Sequence, residues 1–409
     1  MTEHKDVEKA GFMNWKQLCE KPYDKNTVDP YTKIRIILMN GTEFESTWFL
    51  HQFLRHCPDM ELRREINRIR RVEQMQQKRI ASLKPIDESI LETTIGYEHV
   101  AVDLTATLAQ NEPDAYVKKA LDFALLEDFD HLYRYANLLD SEHKVKAERL
   151  VGNYAEIMPG RPTIAEFRHP FDDVRNFIGA DASPATKLNV NIITAAEQQT
   201  MNYYMNVGQF YTSEAGRKLF TEIGMIEEQH VNHYGSLKDP NASWLEMWLM
   251  HEYTECYLYY SCMQDETDNN VKKIWQQHYE QELTHLYTVS NLLKKYEKKE
   301  WNKVMPKPEF PKLLQFGSNI EYVRQIIQNS VGLTSDRTDY KEVSDLPKNH
   351  LFFGYQKTIH QDDVASVASH CVIDTHIDEC GTDYRFETDE HPIPELRDRK
   401  SDNTTLARG

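Results

Sequence analysis

Five times along this chain an acidic residue stands three positions before a histidine: Asp128/His131, Asp140/His143, Glu166/His169, Glu227/His230 and Glu282/His285. On a helix that spacing puts both side chains on one face. With 17 His and 65 Asp plus Glu in 409 residues, about three such pairs arise by chance, so the pair alone says little. What constrains the fold is a partner thirty residues upstream. Glu98, Glu197 and Glu252 precede Asp128, Glu227 and Glu282 by that interval, whereas the other two pairs have Gln110 and Ala136 there. The midpoints, residues 113, 212 and 267, each fall on a turn signal: Asn111-Glu112-Pro113-Asp114, Tyr211-Thr212-Ser213 and Asp265-Glu266-Thr267-Asp268. In a helical hairpin, residues equidistant from the turn share a height; fifteen residues place both acids about 22 Å from it. Each hairpin therefore sets one Glu level with one acid-x-x-His pair.

The rest of the chain fits an all-α protein. Residues 1–60 are mixed, punctuated by Pro22 and Pro30, and carry no long periodic segment. Leu62, Ile66, Ile69, Val72, Met75 and Ile80 recur at helical spacing and predict a helix over 61–83. Helical segments follow at 86–110 (with Asp87 as N-cap), 113–140, 186–210, 213–236, 243–266 and 269–296. Residues 141–185, rich in Pro, form a long irregular connection with a short helical stretch at 144–157. Beyond Pro306 the pattern weakens to one helix near 317–329 and a short strand, and the polar residues 381–409 read as a disordered tail. The expected organisation is an N-terminal extension (1–85), a helical bundle (86–296), a C-terminal extension (297–380) and the tail.

Composition narrows the function classes. A net charge of −17 argues against a nucleic-acid surface or an anionic-membrane binder, and suits a protein that handles cations. The six cysteines include no C-x-x-C, which excludes a zinc ribbon or a rubredoxin-type iron centre. No apolar run approaches the ~18 residues of a membrane span, and residues 1–11 lack the apolar core of a secretory signal. The expected compartment is the cytoplasm.

The paired acids lie among apolar residues: Ile95, Val102, Leu125, Leu132, Ile193, Met201, Phe220 and Ile223. Burying several carboxylates together costs several kcal/mol unless cations compensate, and two bridged metal ions would do so. With Glu98, Asp128-x-x-His131, Glu197 and Glu227-x-x-His230, the sequence resembles the ferritin-like di-iron carboxylate superfamily, which includes rubrerythrins and aldehyde-deformylating oxygenase. That superfamily repeats a Glu and an E-x-x-H across a four-helix bundle. The resemblance implies a ferritin-like bundle with a long crossover and an additional helical hairpin. It implies Glu98 and Glu197 as terminal ligands, with Asp128 and Glu227 bridging, each with its His (His131, His230). Asp128 departs from the family's Glu and has a shorter reach; Glu127 is adjacent but one residue too far from His131 for the motif.

The third unit, Glu252 with Glu282 and His285, is extra, and His278 one turn earlier resembles the additional His of arylamine N-oxygenases; these four form a candidate accessory metal site. The superfamily's crossover runs the length of the bundle. Residues 141–185 can span it and residues 237–242 cannot, which favours the first and second hairpins as the site, with the third flanking; a meander of the second and third remains the alternative. The implied cofactor is two iron ions, with Mn/Mn or Fe/Mn using similar ligands. The implied function is an oxidoreductase that activates O₂ or peroxide, with a small-molecule substrate and an electron donor that the sequence does not name and a homodimer left open. Iron binding or storage without an organic substrate, and a helical scaffold without metal, are the alternatives.

Overall fold

In the computed structural model, residues 6–161, 168–307, 309–360 and 367–381 are described. Glu166, residue 308 and the tail from 382 onward lie outside them. The described chain is mostly helical: α1 (Val7–Gly11), α2 (Pro30–His56), α3 (Met60–Ala81), α4 (Ile90–Asn111), α5 (Ala115–His143), α6 (Glu148–Val151), α7 (Pro184–Val207), α8 (Glu214–Gly235), α9 (Trp244–Asp265), α10 (Asn269–Glu297), α11 (Ile320–Ser330), α12 (Leu351–His360) and α13 (Ala368–Cys380). One antiparallel hairpin, β1 (Leu333–Asp336) with β2 (Asp339–Glu342), pairs Leu333 with Glu342. Among the described residues no helix is long and apolar enough to cross a membrane.

Every expected turn midpoint falls between helices, at 112–114, 211–213 and 266–268. Local chemistry starts the helices. Asp29, Asp59, Asp114 and Asp268 accept backbone N–H bonds as N-caps of α2, α3, α5 and α10. Ser89/Glu92 and Ser243/Glu246 form reciprocal capping boxes on α4 and α9. Ser89 thus replaces the expected Asp87 cap, because Glu92 stands three residues on to complete the box.

The long helix α2 contradicts the expectation of an aperiodic N-terminal extension. Its charged residues are not a solvent face. Lys33 pairs with Glu88 at 2.7 Å and Arg35 with Asp265 at 2.7 Å, both cations being buried. With polar positions buried as well as apolar ones, the helical period disappears from the sequence.

The chain forms two compact units. The first comprises residues 1–88, 177–199 and 238–316; the second comprises 89–176, 200–237 and 317–409. A single bundle over 86–296 is therefore not what forms. In the first unit, hairpin α2–α3 packs on hairpin α9–α10, α2 against α9 and α3 against α10, with α1 beside α3 and α10. The third hairpin expected from the sequence belongs here, in a unit of its own with the N-terminal helices. In the second unit, α4 and α5 pair, α8 and α11 pack on α5, and α13 covers α5 and α8. Leu91, Ile95, Leu125, Leu132, Phe220 and Ile223 lie in its core. Helix α7 starts in the first unit and enters the second after Gln199.

Helix boundaries expose a repeat. Residues 30–144 recur, without a gap, 154 positions later at 184–298. Pro30 matches Pro184 at the start of α2 and α7, and the Ser89/Glu92 box matches Ser243/Glu246. Lys144 and Lys298 end α5 and α10 in the left-handed conformation, with φ of 55° and 57°. Each unit draws on both copies: the first joins α2–α3 with α9–α10, and the second joins α4–α5 with α8 and the end of α7.

Candidate metal centre

In the second unit, α4 carries Glu98, α5 carries Asp128 and His131, and α8 carries Glu227 and His230; all five are fully buried. Ligand atoms of Glu98, Asp128, His131 and Glu227 lie within 4.8 Å of one another. His131 Nδ1 is 2.9 Å from Glu227 Oε1 and 3.9 Å from Glu98 Oε2. His230 Nδ1 is 3.1 Å from Asp128 Oδ1 and 3.5 Å from Glu227 Oε2. Glu227 therefore stands between the two imidazoles, the position a bridging carboxylate needs. Burial opposes its ionisation, but the His131 hydrogen bond and the two neighbouring imidazoles hold its carboxyl well below the usual range. Burial pushes the Asp128 carboxyl up, and Asp128 Oδ2 and Glu227 Oε2 accept no hydrogen bond. Two lone pairs are thus buried without donors beside imidazole nitrogens, a donor set that fits divalent cations.

Glu197 is also buried, on the part of α7 that belongs to the first unit. It is seven residues, two turns, before Tyr204 on the same helix face. Tyr204, in the second unit, donates its hydroxyl proton to Glu98 Oε1. Burial, then the Glu98 charge, pushes that hydroxyl well above its ordinary value. Tyr204 also lines a cleft of about 450 Å³ with Met205, Phe220, Gly224, Met225 and Tyr355. A larger surface cleft between α8 and α12, about 780 Å³, touches none of these carboxylates.

Glu127, set aside by its spacing, proves to be part of the arrangement. It accepts a hydrogen bond from His230 Nε2 at 2.8 Å, and Arg168 and Arg161 approach it at 3.1 and 3.7 Å. Burial raises its carboxyl, yet Arg168, His230 and Arg161 bring it down to about 2. An ionised Glu127 fixes the proton on Nε2 of His230 and turns Nδ1 toward Asp128, as outer carboxylates do for metal-bound histidines. The other two acid-x-x-His pairs serve elsewhere. His143 is exposed at the end of α5. Asp140 pairs with His376 at 2.7 Å and Lys146 at 2.6 Å. His169 Nδ1 accepts the Phe171 N–H in a turn.

The first unit assembles a second cluster. Ligand atoms of Glu73, Glu252, Glu282 and His285 lie within 4.8 Å of one another, as do those of Glu43, Glu73 and Glu255. His285 Nδ1 is 2.8 Å from Glu73 Oε1, 3.1 Å from Glu282 Oε2 and 3.6 Å from Glu252 Oε2. Gln76 donates to Glu282 Oε1, Trp248 Nε1 to Glu252 Oε1 at 2.5 Å, and Tyr259 to Glu43 Oε1. His278 does not join the group: its Nδ1 meets Tyr259 Oη at 3.0 Å, one residue removed from Glu43. Burial, then neighbouring carboxylates, pushes Glu43, Glu73, Glu252 and Glu255 well above the usual range. Burial opposes protonation of His285, but Glu282 and Glu252 bring it up to about 9.

Glu43, Glu73, Gln76 and Glu255 were not anticipated. The signal for three of them was in plain view: Glu43 stands thirty residues before Glu73, with Gln76 three beyond and Pro58 at the midpoint. Requiring histidine at the last position hid it. The 154-residue repeat finds the same residues, since Glu43, Glu73 and Gln76 match Glu197, Glu227 and His230, and Glu98, Asp128 and His131 match Glu252, Glu282 and His285. No known protein family, curated protein or solved structure matches the chain.

Proposed function

We propose that the protein is a dinuclear metal-carboxylate oxidoreductase of the ferritin-like kind, with its oxidant-activating centre in the second unit. The observation that carries this reading is the buried pair of imidazole nitrogens, His131 Nδ1 and His230 Nδ1, on either side of Glu227. Glu98 and Asp128 complete the set in that unit. Glu197 completes the thirty-residue sequence pattern before Glu227 and matches Glu43 across the repeat. Two iron ions are the cofactor that this mixture of carboxylates and imidazoles suits best.

Bound iron would supply redox equivalents and open coordination positions for O₂ or peroxide. The chain's own residues do the rest. Glu127, locked by Arg168, keeps His230 in one tautomer. Tyr204 holds the Glu98 carboxylate and also lines the nearby cleft, where a small organic substrate would bind. The apolar core residues around the cluster exclude bulk water from it.

The test is iron quantification on full-length protein loaded anaerobically with Fe(II), followed by the visible spectrum after O₂ is admitted. A second unit holding about two ions per chain and an oxidised carboxylate-bridged absorption are expected. Less than about one ion per chain that His131→Ala and His230→Ala remove would sink the reading.

A further inference from the structure

We infer that the first unit holds a second metal centre, oxygen-rich where the other is nitrogen-bearing, which takes hard divalent cations such as Mn(II). The inference goes beyond the reading of the second unit and does not depend on it.

The geometry is that of a site and not only of a cluster of acids. Two hairpins bring Glu73, Glu252, Glu282 and His285 to one point, and Glu43 and Glu255 adjoin through Glu73. Every one of these side chains is at most 1% exposed. Several of their atoms have no hydrogen-bond partner among the described residues. Neither oxygen of Glu255 accepts a hydrogen bond, nor does Glu252 Oε2. The amide of Gln76 gives its N–H to Glu282, and its Oε1 is left buried without a donor. An unsatisfied buried amide oxygen is a cost that water or a cation removes. Five carboxyl groups converge with one imidazole, and a divalent cation would stabilise their ionised form together.

Comparison across the repeat shows how the site differs from its counterpart. Gln76 stands where the second unit has His230, and Glu255 where it has Ala101. Both changes replace or add toward oxygen. The donor set becomes five carboxylates, one amide oxygen and one imidazole. Carboxylate and carbonyl oxygens suit Mn, Mg and Ca, while imidazole favours Fe, Zn, Ni and Cu. The two units are thus built to discriminate between metals within one chain.

The experiment equilibrates metal-free full-length protein with Mn(II) alone and reads bound manganese by elemental analysis and by loss of the free-ion EPR signal. Wild type is expected to hold about four ions, two per unit. His131→Ala with His230→Ala should lower this to about two, and Glu73→Gln with Glu282→Gln should also leave about two, with unchanged far-ultraviolet circular dichroism. If manganese is retained in full by the glutamine variant, or is lost entirely with the histidine variant, the inference fails while the second-unit reading stands. If all bound metal disappears with the glutamine variant, the second-unit reading fails and this one survives. Gln76→His provides an arm that needs no loss of fold. The added imidazole should raise the preference for Zn(II) over Mn(II) by at least ~10-fold, and an unchanged preference would place Gln76 outside the site.

Discussion

Replacing Glu127 by Gln separates the aiming of His230 from the binding of metal. The carboxylate accepts from His230 Nε2 at 2.8 Å and faces Arg168 at 3.1 Å, all three groups being buried. Burial raises its carboxyl, and Arg168, His230 and Arg161 more than reverse this, to about 2 against an ordinary 4.5. A carboxyl held that low stabilises the folded chain by about 3 kcal/mol at neutral pH. The loss of one partner from a buried ion pair, ~3–5 kcal/mol, gives a similar figure by an independent route. The sign follows from the depression. Above pH ~4.5 the stabilisation is complete, and it drains away as pH falls toward 2, so that roughly half remains at pH 3. Urea unfolding of metal-free protein should show Glu127→Gln weaker than wild type by about 3 kcal/mol at pH 7 and by about half that at pH 3. Iron affinity of the second unit should fall ~10–100-fold, because a neutral amide no longer fixes the His230 tautomer. A variant within ~0.5 kcal/mol of wild type at pH 7, with unaltered iron affinity, would refute the role given to Glu127.

Three further outcomes are expected. Glu227→Ala or His230→Ala should strip iron from the second unit, whereas His143→Ala and His169→Ala should leave its content unchanged, since one is exposed and the other caps a turn; equal iron across the four variants by elemental analysis would contradict this. Gly160→Ala should cost ~1–3 kcal/mol in urea unfolding, because a Cβ there would lie 2.4 Å from Leu126 O and 2.7 Å from Asp130 N. Tyr204→Phe removes a buried donor to the Glu98 carboxylate; it should lower stability by ~1.5–3 kcal/mol and alter the oxidised visible spectrum without changing iron stoichiometry.

The helices around the acid-x-x-His pairs were legible because two signals coincide there: apolar residues at helical spacing, and Asp or Ser caps at the breaks. The first and third expected hairpins form as α4–α5 and α9–α10, and all three turns fall at the predicted midpoints. Helix α2 was not legible, because Lys33, Arg35, Glu43 and Glu45 are buried and erase the contrast between faces. Glu127 was hidden for a different reason. Its partner His230 and its anchor Arg168 are remote in sequence, so no local spacing could point to it. The C-terminal region was read as an extension, yet α13 packs on α5 and α8 and brings Val372 and Ile373 into the core of the second unit. A short helix of mixed composition contributes to a core only through the surface it meets, which its own sequence does not contain.

Chain connectivity explains why each unit draws on both copies of the repeat. Within a copy the two hairpins are joined by eight residues, 82–89 or 236–243. Fully extended, eight residues reach ~27 Å, less than the ~33 Å length of a 22-residue helix such as α3 or α8. A lengthwise crossover inside a copy is therefore out of reach. Residues 144–183 between α5 and α7 are long enough, so α4–α5 of the first copy can share a unit with α8 and the end of α7 from the second. The two hairpins left over, α2–α3 and α9–α10, are separated by far more chain than any crossover needs, and they meet in the first unit. The same exchange divides the clustered acids. Glu73 comes from one copy and Glu282 from the other; Asp128 and Glu227 are divided in the same way. Neither cluster can form from a single copy. The shared pattern of Glu and acid-x-x-His differs at one position in each unit, Gln76 in the first and Asp128 in the second.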